Sequence, residues 1–284
     1  MKLLRCGEKG KEMPAVIDAE GGIRDISSLI EDLNPRGLEG VDIVGKIKSV
    51  DVKTLPLVKN NVRLGPCLDL VGKIMCIGYN SKLHAKQMGI KPSSSGDMVI
   101  FLKPSSAVTG PTDPILYSKC VKKLDWEAEL GVVIGKTGKY IDTSKARDHI
   151  LGYMCINDVS DRYWQFETDD KQYTKGKGLD SFAPIGPYIV TKDEVRDPNN
   201  LKVKLWVNGE LRQDFDTSDY IQNADEVVSY LSEFFTLYPG DIISMGSAPG
   251  NAKFWGEDKF LKPGDRVTFE IESLGRQEQT VIKE

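Results

Sequence analysis

Two glutamates one residue apart sit inside an apolar segment, "LDWEAELGVVIG" at residues 124–135. Trp126, Leu130, Val132, Val133 and Ile134 belong to the vocabulary of a sheet interior. Side chains two apart on a strand project from one face, so Glu127 and Glu129 are expected side by side, with Asp125 leading in. Carboxylates that close repel, and burying either without a partner is costly or raises its pKa. Something positive should hold them. A strand with one wet face, merely decorated by glutamates, is the other reading of an E-x-E on its own. A third acid adds weight to the first reading: "CINDVSDRYWQ" places Asp158 at the end of another apolar strand. Glu127, Glu129 and Asp158 would form an all-oxygen cluster. Such a donor set suits Mg²⁺, Mn²⁺ or Ca²⁺ and suits Zn²⁺ poorly, and it leaves positions for water and an oxygen-rich substrate.

The chain has two histidines. His84, in "YNSKLHAKQMG", falls on a short helix after a strand, whereas His149, in "KARDHILGYM", reads as structural on an amphipathic helix. Lys177, in "TKGKGLDSFAPIGP", is expected in a loop where glycines let the backbone approach closely; taken alone it would be a solvated charge. Two lookalikes carry no chemistry. "GVVIGKT" has three residues between its glycines where a phosphate-binding loop needs four, and "TKGKGLD" lacks dinucleotide spacing. Both read as turns.

A chain of 284 residues can bury a core as one large domain or as a small one plus a larger one. A net charge of −4 offers no basic footprint for nucleic acid or anionic membrane. No apolar run approaches a membrane span, and "MKLLRCGEKGKEM" is too short in apolar residues for a secretory signal. Cys6, Cys67, Cys76, Cys120 and Cys155 are odd in number and unpaired in pattern, which points to reduced thiols and a cytoplasmic setting. Residues 1–68 read as short strands with one helix over "RDISSLIEDL", capped by Asp25. The segment "TLPLVKNNVRLGPC" reads as a connector, and residues 69–284 as a β-rich unit. There "KIMCIGYN", "MVIFL", "LGYMCIND", "LKVKLWV", "DIISMG" and "RVTFEIE" are strands, Asn208-Gly209 is a tight hairpin turn, and "ADEVVSYLSEFFTL" is a helix. No β-α alternation supports a Rossmann fold or a TIM barrel.

The order and context of these segments resemble the fumarylacetoacetate hydrolase family, in particular its bacterial ureidoglycolate lyase and diketo-acid hydrolase branch. The resemblance runs through "GYNSKLHAKQMG", "MVIFLKPSSAVTGPTDPI", "DWEAELGVVIG", "GYMCINDVSDR", "TKGKGLDSFAPIGPYIV", "VNGELRQDFDTS" and "LYPGDIISMGSAPG". It implies an α+β, β-rich fold, a mixed β-roll with a small N-terminal α+β domain, usually as a homodimer. It also implies that Glu127, Glu129 and Asp158 ligate Mg²⁺ or Mn²⁺, with Ca²⁺ also suited. His84 would activate water, Lys177 would stand beside the substrate's enolate, and Arg162, Gln165, Gly246 and Ser247 would contact a small keto-acid substrate. Two departures stand out. A glutamate common three residues after the histidine is Gln87 here, which can orient His84 but cannot supply charge. An apolar tripeptide of the family reads Tyr220-Ile221-Gln222, implying an altered pocket. The implied reaction is hydrolysis of a carbon–carbon bond in a 2,4-diketo acid. A lyase or tautomerase on ureidoglycolate- or oxaloacetate-like acids, and a non-catalytic metal-dependent binding protein, are the alternatives.

Overall fold

In the computed structural model, which describes residues 1–59, 61–91, 96–256 and 259–284, two sheets organise the chain. The larger has nine strands in the order Ile23–Asp25, Met13–Ile17, Lys2–Cys6, Ile189–Thr191, Ile150–Asn157, Ala128–Ile134, Ile242–Ser244, Ile74–Gly78 and Val99–Lys103. Its neighbours are antiparallel except Ile242–Ser244, which runs parallel to Ile74–Gly78. Ala128–Ile134 and Ile150–Asn157 are buried at every residue. Cover on both faces is why these strands read as continuous apolar runs with no polar alternation.

The second sheet has five strands: Glu210–Asp216, Lys202–Val207, Arg266–Ile271, Gly275–Lys283 and Ile115–Tyr117. Burial alternates along Lys202–Val207 and Gly275–Lys283, so one face packs inward and the other faces water. The expected hairpin is present, with Asn208 at φ 53° and Gly209 at φ 83°, both left-handed as a primed turn requires. The helix Ala224–Phe234 opens with a capping box between Asn223 and Glu226. Its Val227, Val228 and Leu231 are buried in the core. The architecture is α+β and β-rich, as expected.

The N-terminal segment departs from the sequence reading. The expected helix over "RDISSLIEDL" is a short strand, Ile23–Asp25, followed by a single turn in which Ile30 N–H donates to Ile26 carbonyl at 3.2 Å. Asp25 does accept from Ser27 N–H at 2.8 Å, but its own N–H is taken by Pro56 carbonyl at 2.9 Å and the turn does not propagate. Downstream, Arg5 clamps Asp32, and Pro35 disfavours helical geometry at Asn34. Helices begin only at Pro35–Leu38 and Ile43–Lys48. Leu3 pairs with Ile189, so the strands before residue 68 join the same large sheet as the rest. The connector at 54–67 bridges back to it at Arg24–Leu57 and Cys6–Leu64, with Asn60 outside the described residues.

Candidate active site

The two central strands end where the acids gather. Glu129 faces Ile156 in register, and Ala128 faces Asn157. Glu127 lies just before its strand: its N–H donates to Asn157 Oδ1 at 3.0 Å, and its carbonyl accepts from Asp158 N–H at 2.9 Å. Carboxylate oxygens of Glu127, Glu129 and Asp158 therefore lie within 4.8 Å of one another, all three side chains buried.

The expected positive partners are there. Lys177 Nζ bridges Glu127 Oε2 at 2.5 Å and Asp158 Oδ2 at 2.6 Å. Arg162 reaches Glu127 Oε1 and Asp125 Oδ2, each at 2.7 Å, and donates to Gln165 Oε1 at 2.8 Å. Lys103, which the sequence reading passed over, pairs with Asp158 while buried at the end of its strand. Burial pushes the Glu127 carboxyl up, but Arg162 and Lys177 outweigh it and hold the group well below the usual range. Burial likewise works against the charged Lys177, and Asp158 and Glu127 more than restore it, raising its pKa.

Glu129 differs. It accepts from Ser244 Oγ at 2.6 Å and Gly246 N–H at 2.8 Å, neither a cation. Burial first, then Asp158 and Glu127, push its pKa up to about 8. Among the described residues, Asp125, Glu127, Glu129 and Asp158 form ion pairs only with Lys103, Arg162 and Lys177. A hard divalent cation fits such a donor set, since it would supply the charge Glu129 lacks.

His84 stands on the short helix Lys82–Gln87, whose cap Ser81 accepts from His84 N–H at 2.9 Å. Its ring stacks on Tyr79 at 6.1 Å and meets Phe254 edge-on at 5.6 Å. Gln87 Oε1 lies 3.4 Å from His84 Nδ1, the one-turn contact that the spacing implied. A neutral imidazole donating its Nδ1 proton to this oxygen would keep the lone pair on Nε2. Burial pushes the imidazole pKa down, and Glu127 and Gln87 only partly offset that. The neutral form is favoured.

One pocket exposes the acid cluster to His84, Arg162, Gln165, Lys177 and Ser247. Gln87 stands outside its wall, behind His84. Gly246 is likewise outside it, and its N–H serves Glu129. Gly246 has φ 99°, and a Cβ would come within 2.9 Å of Ile77 carbonyl, so only glycine fits this corner. Ser247 Oγ accepts from the buried Gln213 Nε2 at 2.8 Å. Lys177 ends a short helix, Tyr173–Lys177, where a loop was expected. Gly176 still provides the close approach: a Cβ there would meet Asp161 carbonyl at 2.8 Å. Ile221 and Gln222 border an adjoining cavity, while Tyr220 packs beneath Glu129's strand, its hydroxyl accepting from Leu130 N–H at 3.4 Å. His149 holds Lys136 carbonyl at 3.0 Å, away from this pocket. Asn251 and Lys253 also line it, unforeseen because no local pattern marks them.

Comparison with known proteins agrees with this geometry. Residues 73–282 match the family model described as fumarylacetoacetate (FAA) hydrolase C-terminal. A Burkholderia lata protein, provisionally named a hydrolase, is 42% identical over 280 residues covering 98% of each chain. A fumarylacetoacetate hydrolase from Exiguobacterium antarcticum shares the fold at TM-score 0.86 and 32% identity, with 100% of both chains covered. A maleylpyruvate hydrolase from Sphingobium sp. SYK-6, solved with manganese(II) and pyruvate, matches at TM-score 0.78 and 27% identity, covering 100% of this chain and 99% of its own. Isomerases occur among the solved relatives too.

Proposed function

The chain belongs to the fumarylacetoacetate hydrolase family of enzymes, and on that premise we propose that it hydrolyses a carbon–carbon bond in a small 2,4-diketo acid, with Mg²⁺ or Mn²⁺ held by Glu127, Glu129 and Asp158. The observation that carries this reading is one pocket joining a buried acid cluster to His84, whose burial favours the neutral imidazole. A cation bound there would supply Lewis-acid polarisation of adjacent substrate oxygens.

The chain's own groups do the rest. His84 Nε2 takes a proton from water, whose oxygen bonds to the distal acyl carbon. The bond from that carbon to the methylene breaks, and its electron pair passes into an enolate. Lys177, held in place by Glu127 and Asp158, offers its ammonium to the developing negative charge. The proton held on His84 then passes to the enolate carbon, giving a 2-oxo acid and restoring the neutral imidazole, while the acyl fragment leaves as a carboxylic acid that ionises in water. Arg162, Gln165 and Ser247 orient the substrate from the pocket wall.

A second reading has one specific observation in its favour. Gln87 is neutral, so imidazolium on His84 lacks an adjacent carboxylate, and enolate chemistry without water attack on oxaloacetate- or ureidoglycolate-like acids is less affected than hydrolysis. Assaying 2,4-diketo acids, oxaloacetate and ureidoglycolate with Mg²⁺ and with Mn²⁺ separates the two. Release of a 2-oxo acid and a carboxylate from a diketo acid is expected. Turnover of only the other substrates would overturn the hydrolase reading.

A further inference from the structure

Two phenols from different elements meet at the pocket. Tyr79 follows the strand Ile74–Gly78, Tyr173 begins the helix Tyr173–Lys177, and their hydroxyl oxygens lie 3.1 Å apart. Both residues line the pocket that holds the acid cluster. The Tyr79 ring lies nearly parallel to the His84 imidazole, with 15° between their planes. Tyr173 stands four residues before Lys177, one turn away on the same helix face. Its ring meets Phe101 edge-on at 5.3 Å and Phe166 at 5.9 Å, and the Lys177 ammonium lies 5.1 Å from the centre of the same Phe101 ring. The paired hydroxyls therefore join the His84 side of the pocket to the Lys177 side. Two phenols carry two O–H donors, and the bond between them uses one. Among the described residues neither hydroxyl makes a second hydrogen bond, so one donor is left for a ligand. Tyr79 also borders the adjoining cavity and stands in the partition between the two, which leaves Tyr173 as the phenol nearer a ligand over the acids.

We propose that Tyr173 is a catalytic residue: Tyr79 donates to its oxygen, and Tyr173 O–H donates to the oxygen of the distal acyl carbonyl as negative charge gathers there. This role rests on the hydrolase reading above. When the water oxygen bonds to the acyl carbon, the carbonyl π pair moves onto its oxygen. When the carbon–carbon bond breaks, that pair returns and the carbonyl re-forms. Neither phenol gives up its proton. The oxyanion needs a donor of its own, because Arg162, Lys103 and Lys177 are already paired with buried carboxylates. A fixed O–H aimed at charge that exists only in the transition state lowers the barrier without tightening substrate binding. The bond from Tyr79 polarises Tyr173 O–H and strengthens it as a donor, so Tyr79 is a positioning residue that acts through Tyr173.

The test measures hydrolysis of 2,4-dioxopentanoate by the Mn²⁺-loaded enzyme. Titration calorimetry adds the binding of pyruvate and of the 2-oxo acid in which a methylphosphinate replaces the acetyl group. The phosphinate presents the charged tetrahedral oxygens of the attacked carbonyl, and pyruvate presents only the other end of the substrate. Tyr173→Phe should lower kcat by about 100-fold, the usual worth of one oxyanion donor, and weaken the phosphinate by a similar factor while pyruvate binding stays unchanged. Tyr79→Phe should cost about 3- to 10-fold in the same two readings, as expected for one neutral hydrogen bond. The double variant should be no worse than Tyr173→Phe alone, because the two act as a unit. Melting temperatures report folding, and if Tyr173→Phe does not fold, the phosphinate-to-pyruvate ratio of Tyr79→Phe decides. If wild type hydrolyses no diketo acid, the hydrolase reading fails and the phosphinate titration decides the inference by itself. A wild-type preference for phosphinate over pyruvate that Tyr173→Phe abolishes would uphold it. Unchanged phosphinate binding in Tyr173→Phe, or an equal loss of phosphinate and pyruvate, would overturn it.

Discussion

His84 and Gln87 place the chemistry at a single contact. With Gln87 Oε1 facing Nδ1, the imidazole is oriented but gains no charge to stabilise its protonated form, and burial keeps its pKa below the ordinary value. On the hydrolase reading proposed above the active form is the neutral one, so hydrolysis should be lost as pH falls through the lowered His84 pKa, giving kcat/KM an acid limb below the ordinary imidazole range. Gln87→Glu adds a carboxylate within reach of Nδ1, which should move that limb to higher pH and raise kcat on a diketo acid. An unmoved limb would count against the contact. His84→Ala should cost about 10²–10⁴-fold in kcat while metal binding persists, checked by calorimetry with Mn²⁺. At this scale the acids were legible because Glu127, Glu129 and Asp158 interrupt apolar strands. Lys103 carries the same signal at the end of "MVIFLK", buried there against Asp158. Gln213, Asn251 and Lys253 are different: the fold brings them in from remote segments, and nothing in their neighbours marks them.

One corner between strand and helix decides where His84 stands. Tyr79, at φ 59°, turns the chain out of Ile74–Gly78, a left-handed geometry that costs a non-glycine residue about 1–2 kcal/mol. Asn80 secures the corner, donating to Met245 carbonyl at 2.8 Å and Gln222 carbonyl at 3.1 Å and accepting from Gln222 N–H at 2.9 Å. Ser81 then caps the helix and donates to Asp219. The Tyr220–Gln222 segment, where this chain leaves the family pattern, is thus the strut behind the histidine. Asn80→Ala leaves the buried Met245 carbonyl without this donor and should lower stability by about 1–3 kcal/mol in urea denaturation. It should also reduce kcat by freeing the helix, and an unchanged kcat would show that the corner does not set His84. The sequence reading placed His84 on a short helix after a strand, and the structure adds Ser81 as that helix's cap. The same reading failed at Asp25–Leu33, where helical spacing and a cap lose to sheet pairing and to the Arg5–Asp32 clamp.

Across the whole molecule the acid cluster is an electrostatic problem set in the middle of the nine-stranded sheet. Continuous apolar strands made that sheet's centre readable from the sequence, whereas its outer pairings, such as Leu3 with Ile189, depend on contacts too distant for any local pattern. Acids from two adjacent central strands converge beside Asp125, and among the described residues the cations paired with these four acids number three, with Glu129 the acid lacking a cationic partner. A cation that binds only the native state should therefore raise the melting temperature, by the equivalent of about 2.7 kcal/mol at a hundredfold excess over Kd. Glu129→Gln makes a two-sided test. Removing this carboxyl should stabilise the metal-free protein at pH 7, because its folded pKa is pushed to about 8 while the unfolded chain releases the proton at the ordinary lower value, so stability falls as pH rises through that window. The same change removes a ligand charge, so the response to Mg²⁺ or Mn²⁺ should shrink or vanish. Thermal melts of both proteins with chelator and with Mn²⁺ give the two signs directly. A variant that is less stable without metal yet gains as much as wild type with it would mean that Glu129 serves the sheet and not the cation.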